Sequence, residues 1–278
     1  CGYGSRPGPS SGVHDDLRAA ALCLQAGESA LLMTADLIGL DPDTLQYVRE
    51  HVGAHTDVPS ANVMITCSHT HAGPALPCIH YLGDVDEAYV SWVRERLVEV
   101  AVAAWRGREP ARWAAGRGPA QVGINRRQAK GGQIALAENP EGICARHVDV
   151  LRVDRASGEP LALWMNHPAH AVALDHTNTL ISADWPGYAC RALEAAQPGL
   201  VAMFAQGCAG NINCNWRFGF EVAERLGLLF AEAVRAVAEG LRPVPEAELR
   251  VAAEVVALPL QDPPPVAEAR ELVARARA

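Results

Sequence analysis

Residues 62–71 read Asn-Val-Met-Ile-Thr-Cys-Ser-His-Thr-His. The first half, through Thr66, is a short apolar run of the kind that fills a buried strand; the second half turns polar and places a His-x-His pair at the strand's end. The same grammar recurs twice. An apolar run over 161–165 leads into Asn166-His167-Pro168-Ala169-His170, and another over 200–205 leads into Gly207-Cys208-Ala209-Gly210-Asn211. If the three strands are neighbours, their polar ends share one rim, and in open α/β sheets ligands bind at the carboxyl ends of strands.

Helical periodicity fills the spaces between these runs. A further apolar run at 31–37 follows the turn-like Ala26-Gly27-Glu28-Ser29, and Asp41-Pro42 then opens a helix carrying Leu45, Val48 and Val52. The stretch 86–105 sets Tyr89, Trp92, Val93, Leu97, Val100 and Ala104 on one helical face. Runs at 147–153 and 161–165 flank Arg155-Ala156-Ser157-Gly158, a turn that predicts a strand pair. Helices are expected from Pro186 onward and over 220–239, the latter with Val222, Leu226, Leu229, Phe230 and Val234 inward. This alternation predicts an α/β fold, a mixed and mostly parallel sheet flanked by helices, with a metal site at the carboxyl ends of its strands. Pro263, Pro264 and Pro265 read as a connection between elements, and no internal repeat is visible.

Composition narrows the function classes. With 278 residues, 49% of them hydrophobic, a large buried core is expected. A formal net charge of −8 leaves no surplus to hold a nucleic-acid backbone, so nucleic acid is excluded as a partner. No run approaches the roughly 20 apolar residues of a membrane span, and the opening CGYGSRPGPSSG reads as a loop rather than a signal peptide. Because the chain starts without Met, an upstream segment is expected to be missing, and the compartment stays open. Eight cysteines without a C-x-x-C pair predict free thiols.

The histidines carry the chemistry. A His-x-His pair at a strand end turns alternate side chains to opposite sides, which predicts one ligand from the pair. Zinc takes a tetrahedral set of imidazoles and carboxylates and, when catalytic, keeps one position open for water. His51, His55 and His80 are read as structural residues. Ser182-Ala183-Asp184-Trp185-Pro186 reads as a helix start, capped by Ser182 or Asp184, and the Gly/Asn loop after Ala205 offers backbone N–H groups to an oxyanion.

At these residues the sequence resembles the N-terminal catalytic domain of the neutral/alkaline, non-lysosomal ceramidases and their bacterial relatives. Ser68-His69-Thr70-His71-Ala72-Gly73-Pro74 is similar to that family's S-H-T-H-S-G-P signature. Asn125-Arg126-Arg127, Trp164 with His167-Pro168, and Ser182-Ala183-Asp184-Trp185-Pro186-Gly187-Tyr188 resemble further family blocks in the same order. The resemblance implies zinc ligands at His69 and His167, an acid/base or oxyanion partner at His71, and a small lipid-like N-acyl amide as substrate. It also implies two further ligands, a Glu and a Tyr, from later in the chain, so residues 1–278 are expected to be one ceramidase-like catalytic domain cut at both ends. One departure stands out: the family's G-D-x-S-P-N corresponds here to Gly210-Asn211-Ile212-Asn213-Cys214-Asn215, with Asn213 at the serine position. An amide has no nucleophilic atom, so water activated at the metal is expected to attack, with Asn213 orienting the substrate. Two alternatives remain open from the sequence: an amidohydrolase-type barrel, which also uses His-x-His after a strand, and a non-catalytic module with a degenerate site.

Overall fold

In a computed structural model, residues 2–79, 82–245 and 248–277 are described; Cys1, His80 and Ala278 lie outside them. The chain begins with β1 (Gly12–Val13), β2 (Ala19–Ala26), β3 (Glu28–Ala35), α1 (Pro42–His55) and β4 (Val63–Cys67). It continues through α2 (Glu87–Arg106), β5 (Ala111–Pro119), β6 (Gly123–Asn125), β7 (Arg127–Lys130) and β8 (Gln133–Leu136). Then come β9 (His147–Arg155), β10 (Pro160–His167), β11 (Leu180–Ile181) and α3 (Asp184–Ala196). The last elements are β12 (Val201–Gln206), β13 (Ile212–Cys214), α4 (Phe220–Gly240) and α5 (Val266–Arg277). No described helix is long and apolar enough to cross a membrane.

Local chemistry explains the element ends. Asp41 caps α1 by accepting from the Thr44 N–H at 2.9 Å, with Pro42 in the first turn, and Asp86 caps α2 through the Ala88 and Tyr89 N–H groups. The hairpin from β2 to β3 turns at Gly27, whose φ of 84° suits glycine. Arg155 to Gly158 is the predicted turn, joining antiparallel β9 and β10.

The layers differ from the expectation of a single, mostly parallel sheet. There are two main sheets, ordered β2-β3-β4 and β12-β10-β9-β5, and only β3–β4 and β10–β12 pair in parallel within them. The period of two in each strand shows why they stack. Leu31, Met33 and Ala35 of β3 point outward to α1 and α2, meeting Val48, Val52, Val93 and Leu97. On the second sheet Val148, Val150, Leu163 and Met165 point outward to α3 and α4, meeting Leu193, Leu226, Phe230 and Val234. The alternate residues, Leu22 and Leu24 of β2 with Val153, Ala162 and Met203, close a third core between the sheets. The result is a four-layer α/β/β/α sandwich. The sequence reading passed over β2 because four of its eight residues are alanine, which blunts the alternation of Leu22 and Leu24.

Both sheets bury strands on two faces, which is why their runs read as continuously apolar. Trp185 of α3, Phe204 of β12 and Phe230 of α4 meet edge to face with centroids 5.0–5.8 Å apart, a geometry worth about 0.5–1.5 kcal/mol per pair beyond burial. The seven cysteines from Cys23 to Cys214 are free thiols, as expected. Two stacked sheets are also incompatible with the barrel alternative.

Candidate metal centre

The rim where β4 and β10 end gathers His69, His71 and His170, one nitrogen of each lying within 4.8 Å of the others. Ring centroids are 4.9 Å apart for His69–His71 and His69–His170, and 5.6 Å for His71–His170, all crossing edge-on. Nitrogens around an ion with bonds of about 2.1 Å stand about 3.4 Å apart, so modest side-chain closure completes a shell.

Each ring is placed by the backbone around it. His69 follows Ser68 out of β4, its N–H bonded to Leu37 O at 3.0 Å, and it adopts φ 61°, a left-handed conformation that costs a non-glycine residue of order 1 kcal/mol. Its Nδ1 lies 2.7 Å from Ile38 O. A carbonyl only accepts, so Nδ1 carries the proton and Nε2 presents a lone pair. His170 repeats the device, Nδ1 donating to Ile212 O at 3.0 Å. His71, whose N–H meets Ala171 O, has both ring nitrogens buried and neither in hydrogen-bond geometry with a partner. Orphaned buried nitrogens of this kind are rare unless a ligand serves them.

The electrostatics keep His71 and His170 neutral. Burial, then the neighbouring His69 and His170, push His71 down to about 3. Burial, then Arg126 and His69, push His170 down to about 4. Neutral imidazoles are the form that binds a metal. The three donors, the fixed tautomers of His69 and His170 and the two unpartnered nitrogens of His71 fit a cation.

The expected pairing of His69 with His167 is not the grouping that the structure makes. His167 is the last residue of β10 and continues the series Leu163, Met165, His167 that faces α3 and α4, so its ring is fully buried against Phe230 and Trp185, with centroids 5.3 and 6.5 Å away. Its Nδ1 donates to His147 O at 2.7 Å and its Nε2 is buried without a partner. Three residues on, past Pro168 and Ala169, His170 has left the strand and turned onto the rim. The structure therefore groups His170, and not His167, with His69 and His71.

The helix start at Ser182 supports the rim. Ser182 Oγ accepts the Asp184 N–H at 3.0 Å, as a cap would. Asp184, at φ 57°, accepts from the N–H groups of Ala173, Leu174 and Trp185, and the Trp185 indole donates to His170 O at 3.1 Å. Thr70 Oγ1 donates to Ser182 O at 2.7 Å, tying the His69–His71 loop to the same helix. Asn213 pairs with His170 through an isolated bridge, and its Oδ1 accepts from Arg126 Nη1 at 3.1 Å. The Gly207 and Ile212 N–H groups, in the loop expected to hold an oxyanion, are spent on His167 O and Ala209 O.

The fold and site together define an α/β sandwich with a histidine-lined candidate metal centre at its strand ends. Residues 1–221 match the model of the neutral/alkaline non-lysosomal ceramidase N-terminal domain, and the chain belongs to that family. Neutral ceramidase of Mycobacterium tuberculosis is 27% identical over 250 residues, covering 77% of this chain and 37% of that protein. Neutral ceramidase A of Dictyostelium discoideum is 29% identical over 179 residues, covering 56% and 24%. The crystal structure of neutral ceramidase from Pseudomonas aeruginosa superposes with a TM-score of 0.72 at 23% identity, over 82% of this chain and 40% of that one. The chain thus spans well under half the length of these relatives.

Proposed function

We propose that this chain forms the metal-holding part of a hydrolase that cleaves the amide bond of a linear, ceramide-like N-acyl substrate, with zinc as the ion and water as the nucleophile. The observation that carries the reading is the convergence of His69, His71 and His170 at one rim, with both buried nitrogens of His71 unpartnered, in a member of the ceramidase family. An all-nitrogen set suits zinc, and three protein ligands leave a fourth position open. When bound, the ion would polarise the substrate carbonyl and lower the pKa of water toward about 7.

The chain's own groups do the rest. His69 and His170 each donate Nδ1–H to a backbone carbonyl, Ile38 O and Ile212 O, which leaves the Nε2 lone pair for an ion, and His71 is the third donor. Asn213 has its oxygen engaged by Arg126, which leaves its amide N–H groups to orient a substrate carbonyl. Neither Asn213 nor Cys214 is a ready nucleophile. Asn213 has no nucleophilic atom to offer, and the Cys214 thiol is buried and pushed far up by that burial. Metal analysis of the protein and its histidine variants, with hydrolysis of a fluorogenic N-acyl amide, tests the reading. An acyl adduct trapped on Cys214 or any serine would remove water from the nucleophile's role.

A further inference from the structure

Three cations stand at the mouth of this site without a counter-charge. Arg126 sends Nε and Nη2 to Gly210 O, both at 3.2 Å, and Arg127 Nη2 reaches the same oxygen at 3.1 Å. One carbonyl with two lone pairs is therefore shared by two guanidinium groups. Arg217 Nε donates to Val172 O at 3.4 Å, two residues beyond His170. Ten of the chain's arginines form ion pairs with carboxylates, and these three are among the arginines that form none among the described residues. Burial, followed by the charges of Arg127 and Arg217, lowers the pKa of Arg126, and Arg126 in turn acts on His71 and His170. The carboxylates felt nearby, at Tyr3, are Asp184, held by three backbone N–H groups, and Asp175, bonded to Thr177. A positive corner is unusual in a chain whose net charge is −8.

Mutually repelling guanidinium groups, two of them partly buried (Arg126 and Arg217) and one exposed (Arg127), are stable partners for an anion, and Arg presents the planar fork that carboxylate and phosphate fit. Desolvated peptide oxygens satisfy their N–H groups but not their charge. We infer that Arg126, Arg127 and Arg217 form a specificity subsite for an anionic group, so that the preferred substrate is an N-acyl amide bearing a carboxylate or phosphate close to the scissile bond. The inference rests on the hydrolase reading for the amide, whereas the anion preference is a property of the arginines alone. A neutral N-acyl amide leaves the three charges as they are. An anionic one neutralises them while its amide lies beside His170 and Asn213.

Equilibrium binding tests this without requiring turnover. The probes are N-lauroylglycine, N-lauroyl phosphoethanolamine and the neutral N-lauroylglycinamide, titrated calorimetrically at 50 mM and 300 mM salt against the protein and its Arg127→Gln and Arg217→Gln variants. An anionic probe is expected to bind at least about ten-fold tighter than the neutral one at low salt, the worth of one charge-assisted hydrogen bond. That ratio should shrink toward unity at high salt and in both variants, while the neutral probe's affinity and the metal content stay unchanged. The glycine and phosphoethanolamine arms tell carboxylate from phosphate. Equal affinity for charged and neutral probes overturns the inference, as does a preference that survives in both variants. If the preference is found but no N-acyl amide is hydrolysed, the subsite stands and the hydrolase reading falls.

Discussion

Replacing His170 with alanine and, separately, His167 with alanine separates the geometry from the motif. His170 is one of three converging imidazoles, so its loss leaves two. Structural zinc sites with four ligands bind with about 10–16 kcal/mol, or about 3–4 kcal/mol per ligand, so His170→Ala should weaken binding by about 10²–10³-fold. His167 contributes instead to folding. Its ring packs on Phe230 and bonds His147 O, so His167→Ala opens a cavity and strands a carbonyl, a loss of about 2–4 kcal/mol in stability. Chelator-competition titration with zinc gives the affinities, and thermal melts of the metal-free proteins give the stabilities. The expected pattern is crossed: His170→Ala loses metal with a small change in melting temperature, and His167→Ala melts lower and keeps the wild-type affinity. Undiminished zinc affinity in His170→Ala, or a folded His167→Ala that has lost the metal, would refute the assignment.

Other outcomes follow from the same geometry. Asp184→Asn turns an N–H₂ toward a backbone N–H, since both carboxylate oxygens accept such groups; it should cost about 1–3 kcal/mol by denaturant titration and weaken zinc binding through the loosened His170 segment. Phe230→Ala removes the centre of the aromatic cluster beneath the site and should cost about 3–5 kcal/mol by the same titration. Loss of solvent pushes the Asp36 carboxyl up to about 6. Its folded pKa therefore lies above the unfolded value of about 3.9, so its contribution is present at low pH and is lost as pH rises through about 6. Asp36→Asn should accordingly raise the melting temperature relative to wild type at pH 7.5 and leave it nearly equal at pH 4, and an equal gain at both values would contradict the sign.

The legible part of the sequence was the part written in local chemistry. Asp41-Pro42, Asp86, Gly158 and the Ser182 stretch gave helix starts and a turn where the structure has them. The layering was less legible because a strand buried on both faces does not announce what lies on either face. Leu163 and Ala162 are equally apolar, yet one meets α4 and the other meets the opposite sheet. The inward faces of long helices were read with errors for a related reason. Trp92 and Leu229 fall on the apolar stripe but lie at its edge, where each stays about half exposed. At the site, two of the three rim segments singled out in the sequence supply the converging histidines, and on the second it is His170, three residues after His167, that joins them. Tertiary turns such as Pro168-Ala169 decide which histidine of a pair leaves the core, and no spacing rule records that.

The candidate site straddles the two halves of the sandwich. His69 and His71 follow β4 of the first sheet, and His170 follows β10 of the second. In the protein without metal, this seam is held by a few directional bonds, among them His71 N–H to Ala171 O at 3.3 Å, Thr70 to Ser182 O and Ser182 N–H to Ala72 O at 3.1 Å. An ion shared by the three rings would cross-link the sheets at the same seam. Because the unfolded chain does not preassemble the ligands, binding free energy adds directly to folding, by about 2.7 kcal/mol at a metal concentration 100 times the Kd. That increment belongs to the seam rather than to either core, so it should appear in hydrogen exchange as slowed opening at residues 68–72 and 170–174. The amides of β9 beneath α4, already in the deepest part of the fold, should gain protection only through the global term. Uniform protection across both regions would mean that the ion stabilises the molecule without joining its halves.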